Sequence, residues 1–298
     1  MSGGAVGFAV LLCLLWGGLA PALKISLRYL PPLAAAGWRF LIAVICLVTW
    51  CRAMQIRWGV PAARQLPLVA YSLLFVLQIV LLNLGAQWTS SDHTVVLLNT
   101  NPFFVALLAH ALIPGDRLNV KKSAGLLLAF AGVCVTFLDV ETLAKARAGD
   151  LLVLLSASIL GLLQIGTKYL VRQFSPFQIV IWEMIYGVPL FFLASMAFET
   201  ISGHVWNQQT ISSLLYQGVA VGAFCFAGWS HLLQRFSASK VSAFQFTTPL
   251  FGVIVSALIL GDKASPSLLV GVALVAAGIY WISSREIEDR QEKPITRS

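Results

Sequence analysis

Apolar runs of about 20 residues, separated by short polar turns, dominate this chain, and a helix of that length crosses the ~30 Å hydrocarbon core of a bilayer. Ten runs qualify: Gly4–Leu23, Pro32–Cys51, Leu66–Gln87, Asp92–Ile113, Val120–Leu138, Gly149–Val171, Pro176–Phe198, Ile211–Leu233, Ala238–Leu260 and Ser265–Ser284. The pattern predicts an all-α integral membrane protein of ten transmembrane helices with no inserted soluble domain. The polar stretch Arg285–Ser298 has the composition of a disordered cytoplasmic tail. The first run could pass for a secretory signal. It lacks a basic start and has a counterpart later in the chain, so it is expected to stay as a helix.

The pattern also repeats. Thr94–Val135 returns as Val241–Tyr280: Thr100 and Pro102 match Thr247 and Pro249, and after a one-residue slip Gly115, Asp116, Gly125 and Gly132 match Gly261, Asp262, Gly271 and Gly278. Upstream, Gly17, Lys24, Arg28, Pro32 and Trp38 match Gly161, Lys168, Arg172, Pro176 and Trp182 at one constant offset. The expected units are residues 1–145 and 146–284, five spans each. Five is odd, so the second unit crosses the membrane upside down, which places a solute site near the midplane between the halves.

Composition supports lipid as the solvent: 58% of residues are hydrophobic and only 11% charged, against about 25% charged in soluble domains. The net charge of +8 is spread singly between apolar runs with no aromatic-basic patch, which argues against nucleic acid as a partner. Charge also orients the chain. With the N-terminus inside, fourteen of the 20 Lys and Arg fall on the cytoplasmic side and five on the other, with Arg39 inside a span; both termini are expected to be cytoplasmic. Five cysteines lie within apolar runs without metal-ligand spacing, so neither a disulfide framework nor a metal or other cofactor is expected.

Ten spans in two inverted halves, the Trp16-Gly17…Lys24 pattern and two Pro…Gly-acid…Gly hairpins resemble the drug/metabolite transporter superfamily in its EamA-type branch, across essentially the whole chain. The resemblance implies an inner-membrane carrier, in a branch associated with export of amino acids and metabolites. The family's usual Glu after the hairpin glycine is Asp in both copies here, Asp116 and Asp262; either carboxylate is expected to cap the first turn of the following helix.

Polar groups within spans mark the candidate pathway. Asn99 and Gln245 lie on stripes with Pro102 and Pro249, prolines expected to bend the fourth and ninth helices. Gln78 and Trp229 occupy faces where one half places bulk and the other glycine; Gly218 and Gly222 there also read as a packing seam. Trp16 and Gln164 can flank a solute, whereas Lys24 and Lys168 at span ends are expected to snorkel to headgroups. Arg39 and Glu183 hold equivalent positions but enter from opposite sides, so no ion pair is expected. Glu183, the one acid deep in a span, is the candidate for proton coupling, set against the favoured reading of a structural acid with no transport role. His110 and His231 near the cytoplasmic span ends read as packed or interfacial and not as proton relays.

Amides, hydroxyls and aromatics suit a neutral or zwitterionic solute. With one intramembrane Arg, a phosphorylated solute is disfavoured. The leading expectation is an exporter of amino acids, aromatic ones among them, or of similar small metabolites, working by alternating access. Alternatives are a carrier for another metabolite or drug-like solute and, more remotely, a non-transporting membrane subunit or an intramembrane enzyme. The chain carries no HExxH, GxSxG or paired carboxylates, and so is not expected to be an enzyme. Oligomeric state is left open, a monomer being the simplest case.

Overall fold

The computed structural model describes residues 1–89, 91–137, 148–199, 206–260 and 266–283. Lys145, Arg147, Gly261, Asp262, Lys263 and the tail Arg285–Ser298 lie outside the described residues, as do the side chains of Lys24 and Ser256. All regular structure among them is helical: α1 (Gly3–Gly17), α2 (Leu19–Ser26), α3 (Pro32–Ala53), α4 (Leu66–Trp88), α5 (Ser91–Leu98), α6 (Asn101–Leu112), α7 (Val120–Phe137), α8 (Ala148–Leu170), α9 (Pro176–Phe198), α10 (Gln208–Leu215), a π-helical segment Tyr216–Cys225, α11 (Phe226–Arg235), α12 (Ala238–Ala243), a 3₁₀ turn Phe244–Phe246, α13 (Thr247–Leu260) and α14 (Pro266–Ser283). In lipid a spanning segment must satisfy its own backbone, which a helix does.

Among the described residues seven helices are long and apolar enough to cross a membrane: Gly3–Leu23, Pro32–Ala53, Leu66–Trp88, Thr94–Leu112, Ala148–Leu170, Pro176–Phe198 and Gln208–Arg235. The fifth, ninth and tenth expected runs are also helical but shorter or interrupted within the described residues. Helix starts follow local chemistry. Pro32 and Pro176 open α3 and α9, where a missing N–H costs nothing. Ser175 and Gln178 complete a capping box on α9: Gln178 N–H donates to Ser175 Oγ at 3.2 Å and Ser175 N–H to Gln178 Oε1 at 2.9 Å. Gly115 makes the turn after α6 at φ +87°, a backbone that L side chains rarely adopt. Large apolar side chains such as Ile45, Leu107 and Leu127 point outward, as lipid permits.

Packing exposes the internal symmetry. A Cβ on Gly125 would lie 2.9 Å from Gly278 O, and one on Gly132 2.7 Å from Gly271 O. The first residue of each pair rises along α7 while the second falls along α14, so these equivalent helices run antiparallel, and exchanging the halves maps one contact onto the other. α3 and α9 behave likewise. Trp38 near the start of α3 meets Trp206 beyond the end of α9, with ring centroids 5.1 Å apart. Trp182 near the start of α9 donates its indole N–H to Trp58 O, beyond the end of α3, at 3.0 Å. Gly17 sits against Phe251 and Gly252 as its counterpart Gly161 sits against Phe104 and Val105. These mirrored crossings are those of an inverted repeat.

Candidate functional site

Two helix breaks deliver the central polar groups. The fourth span stops at Leu98 and restarts at Asn101; the ninth passes through a 3₁₀ turn at Phe244–Phe246 before α13. Pro102 and Pro249 lie in the first turns of the restarted helices, where proline is tolerated, and their rings disfavour continuous helix upstream. Matched threonines tie each break: Thr100 Oγ1 donates to Leu97 O at 2.6 Å and Thr247 Oγ1 to Phe244 O at 2.7 Å. The stripe expected for Asn99 assumed an unbroken helix. At the break Asn99 instead donates to Val95 O of its own helix at 2.8 Å, and Asn101 is the residue turned inward, 2% exposed.

Asn101 and Gln245 meet there. Trp229 Nε1–H donates to Gln164 Oε1 at 3.2 Å, Gln164 Nε2 to Gln245 Oε1 at 2.9 Å, and Asn101 Nδ2 to the same Gln245 Oε1 at 2.6 Å. The indole fixes the polarity of this chain, because it can only donate. Gln164 must therefore present oxygen to Trp229 and nitrogen to Gln245, which in turn presents oxygen to Asn101. Two groups remain over. Asn101 Oδ1 is buried without a hydrogen bond, 3.4 Å from where a side chain on Gly161 would begin. Gln245, only partly buried, makes no bond from Nε2 to a described residue.

Aromatic rings continue from this relay. Trp16 packs edge-on against Trp229 at 5.2 Å and against Phe226 at 5.9 Å; Phe226 meets Phe40 and Phe75, each at 6.0 Å. Phe40 stacks on Phe191 at 5.4 Å. The π-helical segment just before Phe226 shifts the register of the eighth span. Neither Phe226 nor Asn101 was signalled by helical spacing, which such breaks interrupt.

Other candidates lie elsewhere. Gln78 is 3% exposed and donates to Ser156 Oγ at 2.9 Å, while Ser156 donates to Gln78 O at 3.0 Å, a reciprocal tie between α4 and α8 that is not joined to the relay. Gly218 and Gly222 form the packing seam: a Cβ on Gly218 would lie 2.6 Å from Ile42 Cβ. Glu183 is buried, with no hydrogen bond to a described residue and within electrostatic reach of Tyr71, whose hydroxyl bonds Thr167 Oγ1 at 2.7 Å. As expected from depth, Arg39 and Glu183 form no ion pair.

A profile of the EamA-like transporter family matches residues 4–138 and again 147–284. The chain belongs to the EamA-like transporter family. It is thus a multi-pass membrane protein of the drug/metabolite transporter superfamily. It is 26% identical to an uncharacterized transporter, YoaV, of Bacillus subtilis (90% of this chain, 92% of the relative). It is also 26% identical to a probable amino-acid metabolite efflux pump of Salmonella typhimurium (91% and 92%) and to a probable terminal-alkyne amino-acid exporter of Streptantibioticus cattleyicolor (97% and 96%). A solved structure, "Crystal structure of protein", superposes with a TM-score of 0.81 over 95% of this chain and 99% of its own at 16% identity, which shows the fold alone.

At one end of this transporter, polar contacts latch the two halves together. Asp116 does not cap the helix that follows it; Asn119 Oδ1 does that, accepting from Lys122 N–H at 2.8 Å. Asp116 instead reaches α12 in the other half, accepting from Ser239 N–H and Ser237 Oγ, each at 3.1 Å, from Ser239 Oγ, and from Lys122 Nζ at 2.7 Å. Burial alone would raise this carboxyl, but the Lys122 and Ser239 hydrogen bonds and the Lys122 charge hold it below its ordinary 3.8. Lys168 does not snorkel to headgroups: its ammonium donates to Leu233 O and Phe236 O, both at 2.6 Å, capping the end of α11. Tyr169 bonds Leu112 O, and exposed His110 accepts from Leu118 N–H at Nδ1, 3.1 Å away, which ties the following turn back to the end of α6. Short polar side chains at a helix start are a common capping signal; nothing in their spacing says the cap comes from the other repeat.

Proposed function

We propose that this EamA-family transporter exports amino acids, aromatic ones among them, or similar small neutral or zwitterionic metabolites by alternating access. The observation that carries the reading is the amide relay. Anchored by Trp229, it leaves one acceptor, Asn101 Oδ1, and one donor, Gln245 Nε2, uncommitted between the halves. A solute bearing both an N–H donor and an oxygen acceptor complements that pair, and the adjoining aromatic faces suit an apolar or aromatic side chain. Relatives named as a probable amino-acid metabolite efflux pump and a probable terminal-alkyne amino-acid exporter support the same class.

In this reading Trp16, Gln164, Trp229 and Gln245 contact the solute, and Pro102 and Pro249 keep the breaks open. Residues 1–145 and 146–284 are the two units that exchange conformations, in the plasma membrane with both termini cytoplasmic. The latched Asp116 end then faces the cytoplasm. Glu183, buried and unpaired, is the proton-coupling group, and the solute leaves chemically unchanged. Gln78 supports this frame through Ser156. The test is flux of a solute panel by the purified protein in proteoliposomes. Saturable movement of amino acids is expected, with Glu183→Gln removing the response to an imposed pH gradient. Movement of drug-like cations alone would replace the substrate class, and no saturable flux across a broad panel would overturn the reading.

A further inference from the structure

Arg39 has no partner suited to its charge. It lies seven residues inside α3, about 10 Å along the helix, and is 8% exposed. A guanidinium stays protonated even when buried and offers five donors. Here Nε is sealed from solvent with no hydrogen bond, and the other nitrogens make none to a described residue. The acid at the same end of α3 is engaged: Glu199 uses both oxygens on the helix start, accepting from Leu33 N–H at 2.6 Å and Ala34 N–H at 3.1 Å. Glu183, at the matching position of the other half, forms no ion pair with it. An unpaired charge at this depth is costly, and in membrane proteins such residues mark solute pathways.

What does hold the guanidinium is aromatic. Arg39 Cζ sits 4.6 Å from the Phe40 ring centroid, a cation–π contact. Phe40 belongs to the ring cluster that leads through Phe226 to Trp16 and Trp229. The cluster thus has an uncharged amide relay at one edge and a fixed, unneutralised cation at the other. Other basic side chains near the pathway are committed, Lys168 to carbonyls and Lys122 to Asp116.

Building on the transport reading, we propose that Arg39 is a second solute station, a binding site for the carboxylate of the transported molecule. One planar guanidinium matches one planar carboxylate through two parallel hydrogen bonds, and the neighbouring rings take the apolar part of the solute. A single fixed positive charge is too little for a phosphate dianion. A solute moving between the relay and Arg39 stays against aromatic surface, and two weak stations let it leave as readily as it enters.

The experiment titrates purified full-length protein with phenylalanine, its uncharged-carboxyl analogue phenylalaninamide, and phenylacetate, following tryptophan fluorescence. Wild type should bind the two carboxylates about tenfold or more tighter than the amide, the scale of one charge-assisted hydrogen-bond pair. Arg39→Gln should erase that preference while still binding phenylalaninamide, and Arg39→Lys should keep part of it. Equal weakening of all three probes by Arg39→Gln, or no carboxylate preference in wild type, overturns the proposal. If Arg39→Gln does not yield folded protein, the wild-type and Arg39→Lys titrations still decide. Carboxylate preference together with absent amino-acid flux in vesicles would leave this site standing and remove the amino-acid reading instead.

Discussion

The α7–α14 pair and the relay around Gln245 both join the two halves, but by opposite means. In the first, glycines bring backbone onto backbone, and the contact maps onto itself when the halves are exchanged. In the second, Trp229, Gln164, Gln245 and Asn101 make a directional chain with no such self-match. A self-symmetric, close-packed seam reads the same whichever half is open, so under the proposed alternating access it serves as a permanent brace. A directional hydrogen-bond chain at two helix breaks can be broken and remade, so under the proposed alternating access it falls in the part that moves.

That contrast predicts graded effects. Gly271→Leu places bulk 2.8 Å from Gly132 O and against Thr136. Overpacking costs about 1–3 kcal/mol or more, so folded protein recovered from membranes should drop sharply; near-normal recovery with normal flux would show that the brace is not needed. Trp229→Phe keeps the ring against Trp16 but removes the N–H. The relay loses its fixed polarity, and flux of amino acids should fall about tenfold relative to wild type while the protein elutes as a folded species; unchanged flux would separate the relay from transport.

Smaller changes are expected at the latch. Asp116→Asn should raise labelling of a cysteine placed at buried Ala238 about threefold, since charge-assisted bonds become neutral ones. Because the Asp116 carboxyl lies below its ordinary 3.8 in the folded protein, its contribution is full above that value and is lost as pH falls through the lowered one. Labelling that, once normalised to the same cysteine in unfolded protein to remove its thiolate dependence, rises toward higher pH instead would contradict the assignment. Gln78→Leu should have the least functional effect: about 1 kcal/mol of stability from the lost tie to Ser156, with solute preference unchanged. A shift in preference would return Gln78 to the pathway.

Much of this was legible because lipid restricts the choices. Long apolar runs have few alternatives to helix, and the matched pairs Thr100/Pro102 and Thr247/Pro249 marked two equivalent helices as bent, though not as broken. What helical spacing could not supply was phase beyond a break. A stripe drawn through Asn99 ends where α5 ends, and Asn101 takes the inward position only because α6 restarts there. The π-helical turns before Phe226 hide that ring in the same way. Asp116 was read locally, as a cap for its own hairpin, since a sequence read in order does not show that Ser237 and Ser239 of the other half converge on it.

The central claim is that two inverted halves exchange roles about the relay, one end closing as the other opens. Spin labels at exposed Arg117 and Arg235 report the Asp116 end, and labels at exposed Arg28 and Gln208 report the opposite end. Electron–electron distance distributions for both pairs, with and without transported solute and across pH, test the claim directly. The account predicts anticorrelated changes, the first pair lengthening in the conditions where the second shortens. Two pairs that stay fixed in every condition, or that lengthen together, would contradict it.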